Sequence, residues 1–362
     1  MHTVPFVVGV DLGGTKTELV VLSNHLHEPQ AVVHRERVAT PQSSYTAILD
    51  AIEGLFLRAQ HTVSSLAGQT TRFSHLGVGA PGTTTPETGL IKNANTTCLI
   101  GQPLQTDLSH RLGVPVFVEN DANCFTLSEA TDGAGQNANI VFGVILGTGV
   151  GGGLSINGKI LQGRHGIAGE WGHNPLPLFM RHPRTTDLND SPHPEPTSSA
   201  LEKYSARFVT HTPRPCYCGL SDCIETYLSG PGFVNSYQEW VSWSSKSDQS
   251  KPHFTKQMTT PENLNLCAID VIELAQNGDT FAVQALNQYV QQLASSLAGV
   301  VNLIDPDVIV LGGGMSNVTA LYPLLKDAMQ AYVFTDRFTT PILQAKFGDA
   351  SGVRGAAWLG AT

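Results

Sequence analysis

The stretch FVVGVDLGGTKTELVVL, residues 6–22, consists of an apolar run, a glycine-containing turn and a second apolar run. The same order returns in IVFGVILGTGVGGGLSI, residues 140–156. Runs of Val, Ile and Leu bounded by glycine predict strands, and the short turns predict that each pair of strands forms a hairpin. Because one such unit begins each half of the chain, the sequence predicts a duplicated α/β fold with a cleft between two domains.

Further strands and helices are predicted after each hairpin. In the first half, the pattern predicts strands at 32–38, 76–79 and 116–119 and helices at 45–60 and 122–131. In the second half, it predicts a strand at 308–311 and helices at 224–228, 264–275, 280–303 and 321–331. Residues 181–214 are rich in Pro, Ser, Thr and His and poor in large aliphatic side chains, which predicts a long surface insertion.

The composition argues against several classes of partner. The chain has 362 residues and a net charge of −9, so it has no basic excess that would indicate binding to nucleic acid or to an anionic membrane. No apolar run has the length of a membrane span, and the first residues lack the charged and apolar regions of a signal peptide. These features predict a cytoplasmic protein whose six cysteines stay reduced.

Two glycine turns and a third glycine run predict a nucleotide site. The turns span residues 11–17 and 147–153, and the run at 312–314 follows the strand predicted at 308–311. Glycine lets main-chain N–H groups converge on a phosphate, although a single turn of this kind is equally consistent with a tight hairpin. Asp11 is also a candidate partner, through water, of a phosphate-bound Mg²⁺. The candidate nucleotide ligands are Asp11, Gly13, Gly14, Thr15, Lys16, Gly147, Thr148, Gly149, Gly151, Gly152, Gly313 and Gly314.

The segment ENDAN, residues 119–123, lies where a strand ends and a helix begins. Asp121 is the candidate catalytic base, because a helix N-terminus favours the ionised carboxylate and a carboxylate can accept the proton of an alcohol during phosphoryl transfer. The alternative is that Asp121 only caps the helix. Side-chain amides and carboxylates suit the hydroxyls of a sugar, and the glycines of residues 77–82 would let the backbone approach it. The candidate sugar ligands are Gly82, Asn93, Asn95, Asn120, Glu170 and Glu225.

A histidine and three cysteines predict a structural metal site. The cysteines lie in CYCGLSDC, residues 216–223, and the histidine lies on an upstream turn that contains glycine. Tetrahedral zinc prefers such a set of four ligands, here His173, Cys216, Cys218 and Cys223. The alternatives are that the cysteines are small buried hydrophobic residues or a redox pair. A zinc ion at this position would hold the neighbouring Glu170 and Glu225 in place for a substrate.

Several motifs resemble those of the ROK family (repressors, open reading frames and kinases), and they extend over essentially the whole chain. They are DLGGTK at 11–16, GVGAPG at 77–82, ENDAN at 119–123, LGTGVGGG at 146–153, GEWGH at 169–173 and CYCGLSDCIE at 216–225. The resemblance implies a two-domain actin-like ATPase fold of the duplicated ribonuclease H-like type, with ATP and Mg²⁺. It implies phosphorylation of a hexose at O6, with Asp121 as the base and a sugar contacted by Asn95, Asn120, Asp121, Glu170, His173 and Glu225.

The predicted domains follow from this fold. An N-terminal α/β domain at 1–130 would be completed by 345–362, and a C-terminal α/β domain at 131–344 would carry the zinc-binding loop. A homodimer is a further expectation. Two features depart from the family's pattern: a longer segment separates His173 from Cys216, and Ser221-Asp222 stands where a glycine usually precedes the last cysteine.

Within the family, the motifs resemble the bacterial manno(fructo)kinase group most. This resemblance implies fructose as the substrate, with mannose also accepted. The alternative is an N-acetylglucosamine or glucose kinase of the same family, and a non-catalytic sugar-sensing regulator is the alternative of another class. A repressor of this family would carry a DNA-binding domain before the first glycine turn, where this chain has ten residues.

Overall fold

The structure is a computed structural model that describes residues 6–23, 31–177, 213–247 and 266–361. Its contacts divide the chain into two compact units, residues 1–171 with 305–322 and 339–362, and residues 172–304 with 323–338. The boundaries predicted from the sequence, at 130 and 344, both lie inside the first unit, so the predicted division into domains stays a prediction. The predicted insertion at 181–214 lies outside the described residues except for its last two positions.

The first glycine turn belongs to a mixed five-stranded sheet in the first unit. Strands β1 (Phe6–Leu12) and β2 (Lys16–Ser23) form the predicted hairpin, and β3 (Val32–Ala39) pairs antiparallel with β2. Strand β4 (Leu76–Ala80) runs parallel to β1, a two-stranded hairpin of β5 (Thr83–Thr84) and β6 (Ile91–Lys92) follows it, and β7 (Val116–Asn120) then runs parallel to β4. The strand order is therefore β3-β2-β1-β4-β7.

The second glycine turn belongs to a sheet of the same design. Strands β8 (Ile140–Leu146) and β9 (Val150–Ile156) form the second predicted hairpin, and the short β10 (Lys159–Ile160) extends it antiparallel. Strands β11 (Val308–Gly312) and β12 (Ile342–Gln344) continue the sheet in parallel, in the order β10-β9-β8-β11-β12. Both sheets thus place a hairpin and a third antiparallel strand beside two parallel strands, which confirms the predicted duplication.

Helices cover the sheets and form most of the second unit. The first half contains α1 (Tyr45–Ala67), α2 (Leu104–Leu112) and α3 (Asp121–Thr131). The second half contains α4 (Glu225–Leu228), α5 (Gly230–Ser247), α6 (Ala268–Gln276), α7 (Thr280–Ile304), α8 (Leu321–Met329) and α9 (Ser351–Trp358). Sequence patterns predict most of these helices but miss α2, α5 and α9, together with the short strands β5, β6, β10 and β12.

The last helix, α9, packs on the first sheet rather than on the second, to which it is nearer in sequence. Glycines of the first sheet allow this close approach. A Cβ built on Gly9 of β1 would lie 2.2 Å from the Ala357 backbone nitrogen, and one on Gly77 of β4 would lie 1.7 Å from the Ala356 carbonyl oxygen. Only glycine leaves room for the helix backbone at these two positions. On its other side, the first sheet packs against α1 and α2 through a large apolar core.

Helix α3 makes the reciprocal packing, because it follows β7 of the first sheet but lies on the second. A Cβ built on Gly143 of β8 would lie 2.1 Å from the Thr126 hydroxyl oxygen of α3, and one on Gly153 of β9 would lie 2.5 Å from the same atom. Helices α3 and α9 cross in direct backbone contact, since a Cβ on Gly355 would lie 1.6 Å from the Cys124 carbonyl oxygen. The two halves of the duplication therefore exchange helices.

The second unit is mainly helical. Tyr289 of α7 is fully buried, stacks edge-to-face with Phe233 of α5 and donates a hydrogen bond to the Leu228 carbonyl of α4 at 2.9 Å. In the part of the chain that the structure describes, no helix is both long enough and apolar enough to span a membrane.

Candidate active site and metal centre

The first glycine turn, between β1 and β2, is held by side chains that follow β3. The Gly13 N–H donates to the Lys16 carbonyl at 3.0 Å, which closes the turn. The Thr40 hydroxyl donates to the Gly13 carbonyl at 2.7 Å, and the Gln42 amide donates to the Gly14 carbonyl at 2.7 Å. These bonds fix the backbone that would face a phosphate. No local sequence pattern identifies the two supporting side chains, because their contact depends on the pairing of β2 with β3.

The third glycine run lies directly on the second glycine turn. Gly313 has a φ of 77°, and a Cβ there would lie 2.5 Å from the Leu146 carbonyl oxygen, at the start of the turn. The Gly313 carbonyl in turn accepts a hydrogen bond from the Ser316 hydroxyl at 2.7 Å. The structure thus brings together two of the three predicted nucleotide segments, and the exposed Thr148 lies at the tip of the turn.

Asp11 lies at the carboxyl end of β1, opposite Glu18 of β2. Burial raises the pKa of Asp11 to about 6, with further contributions from the charges of Asp121 and Glu18 and partial opposition from Arg37. Asp11 and Asp121 therefore lie close enough for one charge to act on the other. Two neighbouring carboxylates beside a glycine turn fit a divalent cation, whose charge would relieve their repulsion.

Asp121 is the first residue of α3, and the helix is capped by the residue before it. Asn120 is the N-cap, because its side-chain oxygen accepts the Asn123 N–H at 2.7 Å, so the alternative that Asp121 serves only as the cap is wrong. The Asp121 carboxylate accepts the Ala122 N–H at 2.8 Å. Its side chain reaches solvent, but the surrounding protein raises its pKa by desolvation, and the amide bonds oppose this shift. A fixed, accessible carboxylate with a raised pKa is suited to accept a proton.

The predicted sugar-binding asparagine loop lies beside the first glycine turn. A Cβ built on Gly14 would lie 3.9 Å from the Thr96 hydroxyl, which is adjacent to the exposed Asn95. Gly82 has a φ of 83°, and a Cβ there would lie 2.3 Å from the Lys92 carbonyl oxygen. The glycine therefore allows the chain after β4 to approach the asparagine loop closely.

Glu170 is fixed to β9, the strand that follows the second glycine turn. Gly169 before it has a φ of 95°, and a Cβ there would lie 2.5 Å from the Gly152 carbonyl oxygen. Trp171 after it is buried and donates from its indole nitrogen to the Gly151 carbonyl at 3.0 Å. Both neighbours of Glu170 therefore attach to the same strand, which limits the positions that its carboxylate can reach.

The four predicted metal ligands lie together in the second unit. The ligand atoms of His173, Cys216, Cys218 and Cys223 all lie within 4.8 Å of one another. His173 Nδ1 is 3.6 Å from Cys216 Sγ, and Cys218 Sγ is 3.6 Å from Cys223 Sγ. With zinc bonds of about 2.3 Å to sulfur and about 2.0 Å to nitrogen, tetrahedral angles give about 3.6 Å between nitrogen and sulfur and about 3.8 Å between two sulfurs. These four groups fit a tetrahedral zinc ion.

The surroundings shift the pKa values of the thiols in opposite directions. The Leu220 N–H lowers the pKa of Cys218, whereas burial and the neighbouring thiols raise the pKa of Cys223 to about 12. Zinc deprotonates a coordinating thiol outright, so a bound ion would overcome the second effect. The Leu220 amide would then donate to a thiolate.

The departure from the family's glycine before the last cysteine has a structural explanation. Asp222 has a φ of 59°, the left-handed conformation that glycine adopts at no cost and that aspartate tolerates better than most residues. Its carboxylate accepts hydrogen bonds from the Arg214 N–H and the Tyr227 hydroxyl. These bonds hold the turn in the conformation that brings Cys223 back toward the other ligands.

His173 and Glu225, the other predicted sugar ligands, lie on the segments that carry the metal ligands. The Nε2 atom of His173 lies 3.0 Å from the Tyr217 hydroxyl, and the two rings meet edge-to-face. Because Nδ1 faces the sulfur atoms, the metal-bound ring would carry its proton on Nε2 and donate it to Tyr217. Glu225 begins α4, two residues after Cys223.

Arg214 corrects the predicted extent of the insertion. Its side chain is buried and donates to the Thr226 carbonyl at 2.8 Å and to the Ser236 hydroxyl at 3.0 Å. The guanidinium also lies over the Tyr227 ring, 4.1 Å from the centroid. A residue with these contacts belongs to the packed second unit, so the insertion predicted at 181–214 ends before Arg214.

The two mixed sheets have equivalent strand orders, and each is covered by a helix from the other half. This arrangement defines an α/β fold of the actin-like kinase class. A sequence model described as the ROK family matches residues 7–362, and the chain therefore belongs to this family. A ROK hexokinase from Thermus thermophilus is similar in structure, with a TM-score of 0.70 and 26% identity over 97% of this chain and 96% of that one. A ROK family glucokinase from Streptomyces griseus, solved with glucose and AMPPNP, has a TM-score of 0.63 and 26% identity over 98% of both chains.

Curated relatives favour the alternative subgroup. An N-acetyl-D-glucosamine kinase from Shigella boydii is 36% identical over 351 residues, 97% of this chain and 98% of the relative. An enzyme of the same name from Salmonella typhimurium has the same identity and coverage. The resemblance to the ROK family is confirmed, whereas these relatives favour the alternative over the manno(fructo)kinase group.

Proposed function

We propose that this chain is an ATP-dependent kinase that transfers the γ-phosphoryl group to O6 of a free hexose. Membership of the ROK family supports a sugar kinase, and the solved glucokinase bound to glucose and AMPPNP supports ATP as the donor. The observation that carries the mechanism is the placement of Asp121 at the start of α3, close to Asp11 at the edge of the first glycine turn.

In the proposed reaction, the Asp121 carboxylate accepts the proton of the O6 hydroxyl as that oxygen bonds to the γ-phosphorus. The bond from this phosphorus to the bridging oxygen breaks, and ADP leaves. The candidate ligands on the two glycine turns would hold the phosphates, Gly313 and Gly314 of the third run would lie near the adenosine, and Asp11 would hold Mg²⁺ through water. When bound, Mg²⁺ neutralises charge that develops on the phosphates. The raised pKa of Asp121 brings its proton affinity closer to that of a base working near neutral pH.

We further propose that His173, Cys216, Cys218 and Cys223 bind a structural zinc ion. All four ligand atoms lie within 4.8 Å of one another, and two of their separations, at 3.6 Å, are close to those of a tetrahedral site. The ion would connect the turn before His173 to the start of α4 and so fix His173 and Glu225 as sugar ligands, with a sugar hydroxyl replacing the Tyr217 hydroxyl as the partner of His173 Nε2. It has no part in the transfer step, because closed four-ligand sites leave zinc without an open position.

Two hexoses are candidates for the acceptor, and each rests on a different observation. N-acetylglucosamine comes first, because the curated relatives at 36% identity carry that activity in their names. Fructose comes second, because the motifs of this chain resemble the manno(fructo)kinase group. The cytoplasmic location and the homodimer stay predictions.

The replacement Asp121→Asn tests the proposed base. Asparagine keeps an oxygen for the Ala122 N–H and therefore the helix start, but it cannot accept the O6 proton. We expect kcat to fall by about 10²- to 10⁴-fold, with sugar binding retained. ADP release measured with each hexose, together with sugar titration by calorimetry, checks both expectations. Near-normal turnover of the variant would remove Asp121 from the mechanism, and wild-type protein that binds sugar without releasing ADP would favour the sensor alternative.

A further inference from the structure

Glu119 is a partly buried residue near the end of β7, two residues before Asp121, and its carboxylate reaches two separate segments. One oxygen, Oε2, accepts the Asn123 side-chain amide at 2.7 Å and the Asn120 N–H at 3.3 Å. The other oxygen, Oε1, accepts the side-chain amide of Gln162. A single side chain thus contacts the first turn of α3 and a loop that is 43 residues away in sequence.

The Gln162 loop leads from β10 to Glu170 and has little regular structure. Gly163 and Gly166 both have positive φ, and the loop closes through a hydrogen bond from the Ala168 N–H to the Gln162 carbonyl at 3.2 Å. At its far end, Trp171 attaches the chain to β9. At the near end, the Leu161 N–H donates to the Leu154 carbonyl of β9 at 2.8 Å, and the side-chain bond from Gln162 to Glu119 attaches the loop to the first sheet.

The contacts of Glu119 distinguish a positioning role from direct substrate binding. Both carboxylate oxygens already accept hydrogen bonds from side chains of the protein. A carboxylate whose oxygens both accept protein hydrogen bonds is suited to hold other groups in place. Asp121, in contrast, keeps a side chain that a substrate can reach. The pair also connects the two halves of the duplication, because Glu119 belongs to the first sheet and Gln162 follows the second.

We propose that the Glu119–Gln162 hydrogen bond is a clamp that holds the Glu170 loop at a fixed distance from Asp121. Glu119 and Gln162 are positioning residues, and the inference rests on the proposed roles of Asp121 as base and Glu170 as sugar ligand. The clamp lowers the cost of ordering the loop when sugar binds, so its loss weakens sugar binding more than it slows the transfer step.

The replacement Gln162→Ala tests the clamp, because it removes the loop attachment and leaves the bonds from Glu119 to α3 in place. We expect KM for the phosphorylated hexose to rise about 3- to 10-fold, the effect of one lost hydrogen bond, while kcat stays within about twofold. Amide hydrogen exchange at residues 161–168 should become faster. Leu161→Ala, at the exposed neighbouring position, is the matched control and should change neither quantity.

Exchanging the side chains at positions 119 and 162 provides a rescue experiment for the clamp. Gln162→Glu alone leaves two carboxylates facing each other with no donor between them, so it should raise KM and speed exchange at least as much as Gln162→Ala. In the double variant Glu119→Gln with Gln162→Glu, the new amide donates to the new carboxylate, and its oxygen still accepts Asn123. We expect the double variant to recover KM to within about threefold of wild type, together with slow exchange.

Three outcomes would overturn the clamp. They are unchanged hydrogen exchange in Gln162→Ala, faster exchange with unchanged KM, and a double variant no better than Gln162→Glu. Hydrogen exchange needs no turnover, so it reports on the clamp even where no hexose is phosphorylated. Failure of the proposed function would appear instead as unaltered turnover of Asp121→Asn.

Discussion

Asp11 carries its carboxylate where the surroundings oppose a negative charge. Burial, Asp121 and Glu18 all raise its pKa, and the result is a value of about 6 against 3.8 for an ordinary aspartate. The ionised form, which a magnesium site requires, is therefore less favourable in the folded protein than in the unfolded chain. Below about pH 4, Asp11 is protonated in both the folded and the unfolded chain, so it does not reduce stability. Above about pH 6, it is ionised in both, and the full loss of stability applies.

The replacement Asp11→Asn should therefore stabilise the fold while it reduces activity. The gain in Tm over wild type should be largest at pH 7–8 and should disappear as the pH falls from about 6 to about 4. Thermal unfolding at a series of pH values checks this expectation, with the exposed Asp327→Asn as control. A variant that is less stable than wild type at pH 8 would contradict it.

Residue-level prediction works where a motif is local. The glycine turns predict the nucleotide site and the segment from 119 to 123 predicts the catalytic base, because their glycines and carboxylates recur at short spacing. The partners of these residues are not visible in the same way. The bond from Gln162 to Glu119 joins positions 43 residues apart, and an isolated glutamine in a glycine-containing loop has no pattern that would identify it.

At the scale of elements, long periodic segments are predictable and short glycine-containing ones are not. Helices α1 and α7 have sustained apolar periodicity, and the sequence predicts both. Helix α9 reads SGVRGAAW, and its two glycines oppose helix formation in isolation. It forms because the first sheet and α3 contact its backbone closely, so tertiary packing outweighs local propensity.

The crossing of α3 and α9 is sensitive to a single methyl group. A Cβ at Gly355 would lie 1.6 Å from the Cys124 carbonyl oxygen, so Gly355→Ala must separate the helices. We expect the free energy of unfolding to fall by about 1–3 kcal/mol, as for other overpacked sites. Gly299→Ala in α7 is the matched control, because a Cβ there meets nothing within 4 Å, and it should stabilise by about 0.5–1 kcal/mol. Urea unfolding of both variants decides the point, and equal effects would contradict the close crossing.

The cysteine-containing loop should depend on its metal. We expect one zinc per chain by elemental analysis, and Cys223→Ser should lose it together with thermal stability and sugar affinity, because His173 and Glu225 lose their common support. Cys267→Ser is the control, since this exposed cysteine precedes α6, far from the cluster in sequence. Zinc retained by Cys223→Ser, or wild-type protein that is fully active without zinc, would reject the proposed site.

At the scale of the whole molecule, duplication places one glycine turn in each half of the chain. Each half supplies one sheet and one glycine turn, and each sheet receives a helix from the other half. The residues at the carboxyl ends of the parallel strands differ between the halves, however. The first half supplies the carboxylates at positions 11 and 121, whereas the second half supplies the stacked glycine segments at 147 and 313. One architecture thus provides two different sets of chemical groups.

The choice of sugar is a property of the whole site, and it is the feature that motifs predict least well. N-acetylglucosamine and fructose offer the same primary hydroxyl at C6 and differ at the opposite end of the ring, where the first carries an amide at C2. A site that hydrogen-bonds this amide leaves polar groups unpaired with fructose, and a site without room for it excludes N-acetylglucosamine. We therefore expect kcat/KM for the two sugars to differ by at least about tenfold.

A coupled ADP-release assay with N-acetylglucosamine, fructose, mannose and glucose measures this difference. Preference for N-acetylglucosamine would agree with the relatives at 36% identity, and preference for fructose would agree with the motif resemblance. Asp121→Asn should reduce turnover with every sugar by a similar factor, because the base acts on the shared hydroxyl. Glu170→Gln should change the ratio between the sugars, since its carboxylate is proposed to contact the sugar rather than accept the O6 proton. Equal use of both sugars by the wild-type enzyme would contradict a pocket that recognises the C2 substituent.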